Sequence, residues 1–257
     1  LLTGKNKILK VEFSDGRSIR VTENHEFLLK NKEGKTQAKD LKIGDTINTL
    51  YNEIEYSGKK TFDFTISKIG KEHKLPYLPT EWSIELGEIL GHLIGDGCVA
   101  KNNVTTLVYG THEDEKINLA NKHKEWLTSV FEREPIDCEV GNGCRQLRFA
   151  KNAIGRFFRE LGVSNARSVD KHIPAQLFKA PKSIVSAFLR GYFGADGTVY
   201  GRREMGGCEV SCTSVSRQLI DDVQLALQLF GIRSMSKIVR TSKEHGIQGY
   251  RTRNCYR

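Results

Sequence analysis

Ser186-Ala-Phe-Leu-Arg-Gly-Tyr-Phe-Gly-Ala-Asp-Gly197 decides the fold of this chain, together with Leu86-Gly-Glu-Ile-Leu-Gly-His-Leu-Ile-Gly-Asp-Gly97, which lies one hundred residues earlier. Each stretch predicts an apolar helix that ends at an Asp-Gly pair, where glycine accepts the left-handed conformation without strain. Small residues recur four positions apart in both, namely Gly87, Gly91 and Gly95, and Ala187, Gly191 and Ala195. This spacing places them along one ridge of each helix. We expect the two ridges to pack almost backbone to backbone.

The aspartates that end the two helices form the candidate chemical site. If the ridges pack as expected, Asp96 and Asp196 meet at the bottom of both helices. Two converging carboxylates suit a divalent cation such as Mg²⁺, which prefers hard oxygen ligands. Either segment alone is typical of ordinary helix packing followed by a turn, but its duplication in the same register indicates an internal repeat.

Both segments resemble a known motif. Leu90-Gly-His-Leu-Ile-Gly-Asp-Gly97 and Leu189-Arg-Gly-Tyr-Phe-Gly-Ala-Asp-Gly197 are similar to the two copies of the LAGLIDADG (dodecapeptide, DOD-type) motif of homing endonucleases, the second more closely. The resemblance covers roughly residues 83–257. It implies an α+β fold in which a pseudo-twofold pair of α/β halves, 83–165 and 166–257, forms a saddle of antiparallel strands over duplex DNA.

The resemblance also implies roles for individual residues. Asp96 and Asp196 would be catalytic metal ligands, one for each DNA strand, and the carbonyls of Gly95 and Ala195 would also ligate metal. Lysines that orient water or offset phosphate charge are expected, and the candidates are Lys171 and Lys237. The residues expected to contact DNA are Gln146, Arg148, Arg240, Arg251 and Arg253. The alternative is that these are ordinary solvent-facing side chains.

Charge is distributed unevenly along the chain. Residues 1–140 carry 20 Lys and Arg against 23 Asp and Glu, whereas residues 141–257 carry 20 against 8, a net charge of +12. Fourteen of those last 20 cations are arginines, which bind phosphates and guanine edges through paired hydrogen bonds. The pattern is typical of a nucleic-acid binder, although a solvated basic face on an unrelated enzyme has the same composition.

Composition excludes several classes of protein. The 257 residues are enough for one large or two modest domains. No apolar run approaches the ~18 residues of a membrane span, and the N-terminus lacks the pattern of a signal peptide. We therefore expect an intracellular, cytoplasmic protein that does not bind membranes. The six cysteines form neither a disulfide framework nor CxxC pairs, so we expect free thiols.

The part of the chain before the first motif predicts a separate segment. Residues 1–55 are expected to be all β, because apolar residues alternate on both sides of Asp15-Gly16, a strong hairpin signal. A further short strand is predicted at 46–50. Residues 56–82 are polar, contain two prolines and predict a connector.

The repeat continues beyond the motifs, with the order helix, paired strands, helix, paired strands in each half. Gln146 and Arg148 alternate with Leu147 and Phe149, which predicts a strand with one polar and one apolar face. The later predicted elements are strands near 135–140, 144–150, 234–241 and 249–257, and a helix at 153–162.

Ile19-Arg-Val-Thr-Glu-Asn-His-Glu-Phe-Leu28 resembles the Thr-x-x-His block of an intein splicing (Hint) domain. Ala38-Lys-Asp-Leu-Lys-Ile-Gly-Asp45 is similar to the stretch that follows that block in the family. The resemblance implies that Thr22 and His25 bind the scissile peptide and help to protonate its leaving nitrogen, which suits histidine near neutral pH. A splicing block followed by an endonuclease is the order found in large inteins.

Two departures from the splicing pattern predict that this chain cannot splice. Leu1 stands where splicing needs Cys or Ser, and Arg253 precedes Asn254-Cys255 where the family has His. The segment 1–55 is therefore expected to be a partial Hint domain.

The sequence thus predicts a monomeric, Mg²⁺-dependent intein endonuclease that cuts double-stranded DNA at a specific site. The alternative is a nuclease-inactive LAGLIDADG-fold protein that binds DNA or RNA, such as a regulator or a maturase. The presence of both Asp96 and Asp196 favours the nuclease. A metal-dependent hydrolase of small molecules is disfavoured, because the chain is rich in arginine and lacks a glycine-rich phosphate loop.

Overall fold

Two units make up the chain, one combining residues 1–54 with 227–237 and the other combining 55–226 with 238–257. The first unit takes in 227–237, a segment that the sequence assigns to the second half of the repeat. The computed structural model describes residues 6–49, 57–67, 77–141, 143–150, 152–163, 168–202, 207–240 and 254–257.

The N-terminal strands form two antiparallel hairpins. β1 (Ile8–Glu12) pairs with β2 (Ser18–Thr22), and β3 (Glu26–Leu28) pairs with β4 (Lys35–Gln37). Between β1 and β2, Gly16 has φ +89°, a conformation that favours glycine, so the predicted hairpin is confirmed. The buried side chains shared by these hairpins are Val21, Phe27 and Ala38.

The predicted strand at 46–50 is not formed within its described residues, 46–49. An isolated bridge between Leu29 and Ile47 is the β pairing found there. Lys42 and Asp45 close a turn instead, since the Asp45 carboxylate accepts from the Lys42 backbone N–H at 2.8 Å. This turn ends immediately before the residues that were predicted as the strand. A 3₁₀ turn at Ala38–Asp40 also interrupts the expected all-β segment.

Helices and strands alternate through the rest of the chain. The helices are α1 (Ile84–Asp96), α2 (Ala120–Phe131), α3 (Asn152–Leu161), α4 (Lys182–Asp196) and α5 (Arg217–Leu229). The strands are β5 (Gly97–Val99), β6 (Thr105–Tyr109), β7 (Ile136–Glu139), β8 (Arg145–Phe149), β9 (Gly197–Arg202), β10 (Gly207–Cys212), β11 (Ile238–Arg240) and β12 (Asn254–Tyr256). A π-helical turn, Asp114–Leu119, leads into α2. Among the described residues, no helix is long and apolar enough to cross a membrane.

The small-residue ridges of α1 and α4 pack against each other, as their four-residue spacing predicts. A Cβ atom on Gly91 would overlap the carbonyl of Phe188 and lie 2.7 Å from the backbone nitrogen of Tyr192. A Cβ atom on Gly191 would overlap the carbonyl of Glu88. The two backbones therefore touch, and at this crossing glycine is the residue that fits.

Glycine follows both aspartates for a reason other than the predicted one. Gly97 and Gly197 are extended, with φ of −140° and −83°, and not left-handed. A Cβ atom on Gly97 would lie 2.8 Å from the carbonyl oxygen of Leu93, and one on Gly197 would overlap that of Phe193. Each helix runs directly into a strand, so the chain passes too close to the last helical turn for a side chain.

The two halves arrange their strands in the same order. The first half has an antiparallel sheet with the order β5-β6-β8-β7. In the second half β9 pairs with β10 and β11 pairs with β12, while an isolated bridge joins Ser214 to Tyr256 in β12. Because Ser214 lies just after β10, this bridge gives the order β9-β10-β12-β11, which supports the internal repeat.

The described parts of the predicted connector, 57–67 and 77–82, contact both halves. The ring of Phe62 meets Trp82 and Phe157 edge-on, with centroids 5.1 and 5.5 Å apart. The Lys59 backbone N–H donates to the Lys179 carbonyl at 3.0 Å. These contacts explain why the segment groups with the motif helices and not with the N-terminal hairpins.

Candidate functional site

The two aspartates lie at neighbouring ends of α1 and α4. A Cβ atom on Gly95 would lie 2.6 Å from the Cβ of Ala195 and 3.5 Å from the Cγ of Asp196. The residues that precede the two aspartates therefore face each other across the crossing. Asp96 and Asp196 are themselves partly exposed, so the site between the helix ends is open to solvent.

Burial and repulsion from a neighbouring carboxylate disfavour the charged forms of both carboxyl groups. Burial, followed by repulsion from Asp96, raises the pKa of Asp196 to about 6, against the attraction of Lys171. Burial, followed by repulsion from Glu115, raises the pKa of Asp96, and Lys171 again opposes the shift. A cation placed between the carboxylates would offset both penalties.

Lys171 is held at the end of α1. Its Nζ donates hydrogen bonds to the carbonyls of Ile94 and Gly95, both at 2.7 Å. The segment that carries it is fastened to α5, because Ser216 Oγ donates to the Lys171 carbonyl at 2.6 Å. The structure thus places a lysine from the link between the halves beside both aspartates. One lone pair of the Gly95 carbonyl is already engaged by this ammonium group.

The residues present fit a hard divalent cation that retains water. Within the described chain, no group of three or more His, Cys, Asp and Glu side chains could hold a metal ion. The donors at the helix ends are two carboxylates and main-chain carbonyls, the oxygen set that suits Mg²⁺. Nearby, the buried hydroxyl of Tyr192 makes no hydrogen bond of ordinary geometry with any described residue.

Four other sequence candidates either belong to a different unit from the two aspartates or have side chains outside the described residues. Lys237 is exposed and belongs to the unit that contains the N-terminal hairpins, whereas the aspartates belong to the other unit. Arg240 is in β11, but its side chain is outside the described part, and Arg251 and Arg253 lie outside the described residues altogether.

β8 provides a polar face on the first sheet, as predicted. Leu147 and Phe149 are buried, whereas Gln146 and Arg148 are partly exposed. Arg148 sits opposite Thr106 of β6 and Ile136 of β7. Because directly opposed residues share a face of a sheet, Arg148 is flanked by one hydroxyl and one exposed aliphatic side chain.

Thr22 and His25 lie at one turn in the N-terminal unit. The His25 backbone N–H donates to the Thr22 carbonyl at 3.0 Å. The exposed imidazole meets the ring of Phe27 edge-on, with centroids 5.0 Å apart. The structure thus brings the two residues together through the main chain.

A buried ion cluster beside the helix crossing was missed by the sequence analysis. Glu88, in α1, is 3% exposed and accepts hydrogen bonds from Lys122 and Arg190, both at 2.6 Å. Burial opposes its ionisation, but hydrogen bonds from His123, Lys122 and Arg190 outweigh burial and lower the pKa of Glu88 to about 2. A glutamate next to the small-residue ridge of α1 was the available signal. Arg190 belongs to α4, so this pair ties the two motif helices together.

Residues 183–255 match a family model described as a LAGLIDADG-like domain. The matched stretch begins in the first turn of α4 and includes Asp196, so it corresponds to the second copy of the repeat.

Two curated relatives with different names match most of the chain. It is 29% identical over 253 residues to the replicative DNA helicase DnaB of Synechocystis sp., covering 94% of this chain and 26% of the helicase. It is 35% identical over 199 residues to a probable translation initiation factor IF-2 of Thermococcus kodakarensis, covering 75% of this chain and 15% of that protein. The chain therefore spans about a quarter or less of the length of these relatives.

Among solved structures, the chain is similar to the homing endonuclease I-DmoI in complex with DNA and Mn. The TM-score is 0.43 at 17% identity, and the similarity covers 67% of this chain and 86% of that one.

Proposed function

We propose that this chain is the endonuclease part of an intein and that it hydrolyses both strands of a specific DNA duplex with Mg²⁺ as its cofactor. The convergence of Asp96 and Asp196 at the ends of two crossed helices carries the proposal. Each helix comes from one copy of a repeat, so the site has the approximate twofold arrangement that two antiparallel scissile strands require. The match of 183–255 to a LAGLIDADG-like domain supports the same function.

In this mechanism Asp96 and Asp196 would hold the cation together with the carbonyls of Gly95 and Ala195. Bound Mg²⁺ supplies a Lewis acid and lowers the pKa of a coordinated water. Lys171 offsets the negative charge that accumulates when a phosphate approaches two carboxylates. Its hydrogen bonds to the end of α1 also fix the Gly95 carbonyl in place. Lys237 remains a candidate for a second catalytic lysine.

The DNA contacts that we propose come from the strand residues that the sequence singles out. Partly exposed Gln146 and Arg148 lie on the face of the first sheet that is not buried in the core. In the second half, Arg240, Arg251 and Arg253 would provide the corresponding contacts. The net charge of +12 over residues 141–257 supports a polyanionic partner. With two copies of the motif in one chain, a monomer can present both halves of the site.

The intein context rests on the relatives and on the N-terminal unit. One stretch of sequence matches both a helicase and an initiation factor while filling about a quarter or less of each. This distribution is expected of a module inserted into unrelated hosts. The turn that joins Thr22 to His25 is compatible with a partial Hint domain, in which these residues would bind the scissile peptide.

A cleavage assay on a library of duplex sites, with and without Mg²⁺, tests the proposal. Asp96→Asn and Asp196→Asn each remove one charged ligand but preserve size. We expect each to lower double-strand cleavage at least ~10²-fold, because a phosphate-clamping metal contributes several kcal/mol to the transition state. DNA affinity, measured by fluorescence anisotropy, should stay close to that of the wild type.

Two results would favour the alternative. If the wild type binds a specific duplex in Mg²⁺ but never cuts it, the chain is a nuclease-inactive DNA-binding protein. Specific binding to RNA instead of duplex DNA would indicate a maturase. If both Asn variants cut DNA as well as the wild type, the two aspartates are not needed for cleavage.

A further inference from the structure

Tyr192 has a buried hydroxyl whose contact with the Cys212 thiol is not a hydrogen bond of ordinary geometry. It lies in α4 one helical turn before Asp196, on the same side of the helix, and its side chain is fully buried. The hydroxyl makes no hydrogen bond of ordinary geometry within the part of the chain that the structure describes. Such a group costs free energy unless something hydrogen-bonds to it, so it points to a water or an ion at this place.

The position of the hydroxyl can be traced through β10. Cys212 pairs with Gly197, the residue that directly follows Asp196. The thiol of Cys212, a weak hydrogen-bonding group, lies next to the hydroxyl of Tyr192. Burial, followed by Cys212, Asp196 and Asp96, raises the pKa of Tyr192, so the phenol keeps its proton. The hydroxyl therefore lies where α4 becomes β9, within the electrostatic reach of both carboxylates.

We propose that Tyr192 is a positioning residue for a hydrated divalent cation, and that its oxygen accepts a hydrogen bond from a water of the cation held by Asp196. The inference rests on the metal site of the proposed function. Mg²⁺ gives up its waters reluctantly and keeps several when one or two carboxylates bind it. Those waters need acceptors, and groups in this outer shell orient the ligands and tune the affinity.

The first half provides a contrast at the same place. His92 is the residue four positions before Asp96, and its Nε2 hydrogen-bonds the carbonyl of Val108 at 2.9 Å. That imidazole is tied to a strand of its own half through Nε2, although its Nδ1 makes no described hydrogen bond, whereas the hydroxyl of Tyr192 is not tied to any described strand by an ordinary hydrogen bond. Tyr192 is thus the outer-shell group that we expect on the Asp196 side of the shared cation site.

The test is Mn²⁺ binding to the full chain without DNA, followed through the electron paramagnetic resonance signal of free Mn²⁺. Tyr192→Phe removes one oxygen and should weaken binding roughly 10-fold or more, the usual effect of losing an outer-shell partner. Tyr109→Phe is the matched control, because Tyr109 is equally buried but its hydroxyl pairs with His123 Nδ1 at 3.0 Å. The control should bind Mn²⁺ like the wild type.

Thermal unfolding separates a metal role from a purely structural one. Without metal, Tyr192→Phe should have a Tm equal to or above that of the wild type, because the substitution removes an unpartnered polar atom. With saturating Mn²⁺, the rise in Tm should be smaller than in the wild type, because weaker binding stabilises less.

The possible outcomes are distinguishable. Equal Mn²⁺ affinity in the wild type and Tyr192→Phe overturns this inference and leaves the proposed endonuclease intact. A lower metal-free Tm with an unchanged Mn²⁺-induced rise assigns the hydroxyl to the fold, which also overturns the inference. A wild type that binds no Mn²⁺ at all overturns both the inference and the metal site beneath it.

Discussion

The two motif helices are alike where they touch and different one layer away. Both present a ridge of small residues and end in an aspartate beside its partner. Four residues before the aspartate, however, α1 has His92, which stacks on Tyr109 with ring centroids 4.6 Å apart. The same position in α4 has Tyr192, whose hydroxyl lies next to the Cys212 thiol. The repeat thus preserves the crossing and the carboxylates, while each half fills its own core independently.

The difference gives the halves different physical sensitivities. The core around α1 contains ionisable groups, since the buried Glu88, His92 and His123 lie close together. The core below Asp196 contains instead a neutral phenol and a neutral thiol, because burial raises the pKa of Tyr192 and also raises the pKa of Cys212, the latter to about 11. Acid should therefore affect the first half first, whereas loss of a divalent cation should affect the second.

The largest effect is expected where the halves are alike. Gly191→Ala should lower the free energy of unfolding by about 3 kcal/mol, because the new Cβ would overlap the Glu88 carbonyl at the helix crossing. Gly91→Ala should behave similarly against the carbonyl of Phe188. The matched control is Gly194→Ala in the same helix, where a Cβ meets nothing within 4 Å. Urea unfolding should show the control to be neutral or slightly stabilised, by up to about 1 kcal/mol. Equal stability of all three variants would contradict the close crossing.

A smaller effect should separate the halves by pH. Burial, and then His123, lower the pKa of His92 to about 4, from an unfolded value of about 6.5. Between about pH 6.5 and pH 4, the imidazole of His92 is therefore protonated in the unfolded chain but stays neutral in the folded chain. The free energy of unfolding is therefore unaffected by the titration of His92 above about pH 6.5 and decreases as the pH falls towards 4. We expect His92 alone to account for a loss of about 2 kcal/mol by about pH 4.5.

Urea unfolding near pH 7 and near pH 4.5 measures this loss. His92→Gln should be less stable than the wild type near pH 7 but should lose less between the two pH values. His123, whose pKa burial also lowers, will leave part of the loss in place. Tyr192→Phe, the equivalent change in the second half, should keep the full loss of the wild type. A pH dependence unchanged by His92→Gln would place the acid sensitivity elsewhere.

Local sequence patterns predicted the elements but not their outer-shell contacts. Four-residue spacing was enough for α1, α4 and their crossing, because backbone contact depends on the absence of side chains. Alternation was enough for β8, since Leu147 and Phe149 must reach the core. The strand at 46–50 was wrong because its described residues pair through an isolated bridge between Ile47 and Leu29 and form no continuous ladder. The prediction of a left-handed conformation at Gly97 was wrong because the helix runs directly into a strand.

Site residues far apart in sequence were harder to predict. The position of Lys171 depends on the path of the link between the halves and on Ser216, 45 residues away, which no local pattern specifies. Tyr192 looked like an ordinary core aromatic, since its importance lies in the partner that its hydroxyl lacks. Glu88 gained its partners from α2 and α4, so its low pKa follows from the tertiary structure alone.

A further expected effect concerns DNA binding by the exposed face of the first sheet. Arg148→Ala should weaken binding to the specific duplex by about 1–3 kcal/mol if the guanidinium reads a base edge, with the loss confined to one position of the site. If it contacts a phosphate instead, binding should weaken on all sequences and the salt dependence should decrease by about one ion. Arg145→Ala is the matched control three residues earlier in the same strand, because Arg145 lies on the opposite face and is paired with Asp137 at 2.7 Å. Fluorescence anisotropy at several salt concentrations should show Arg145→Ala binding like the wild type. If both variants bind equally well, the second half provides the DNA contacts, and the first half contributes its aspartate alone.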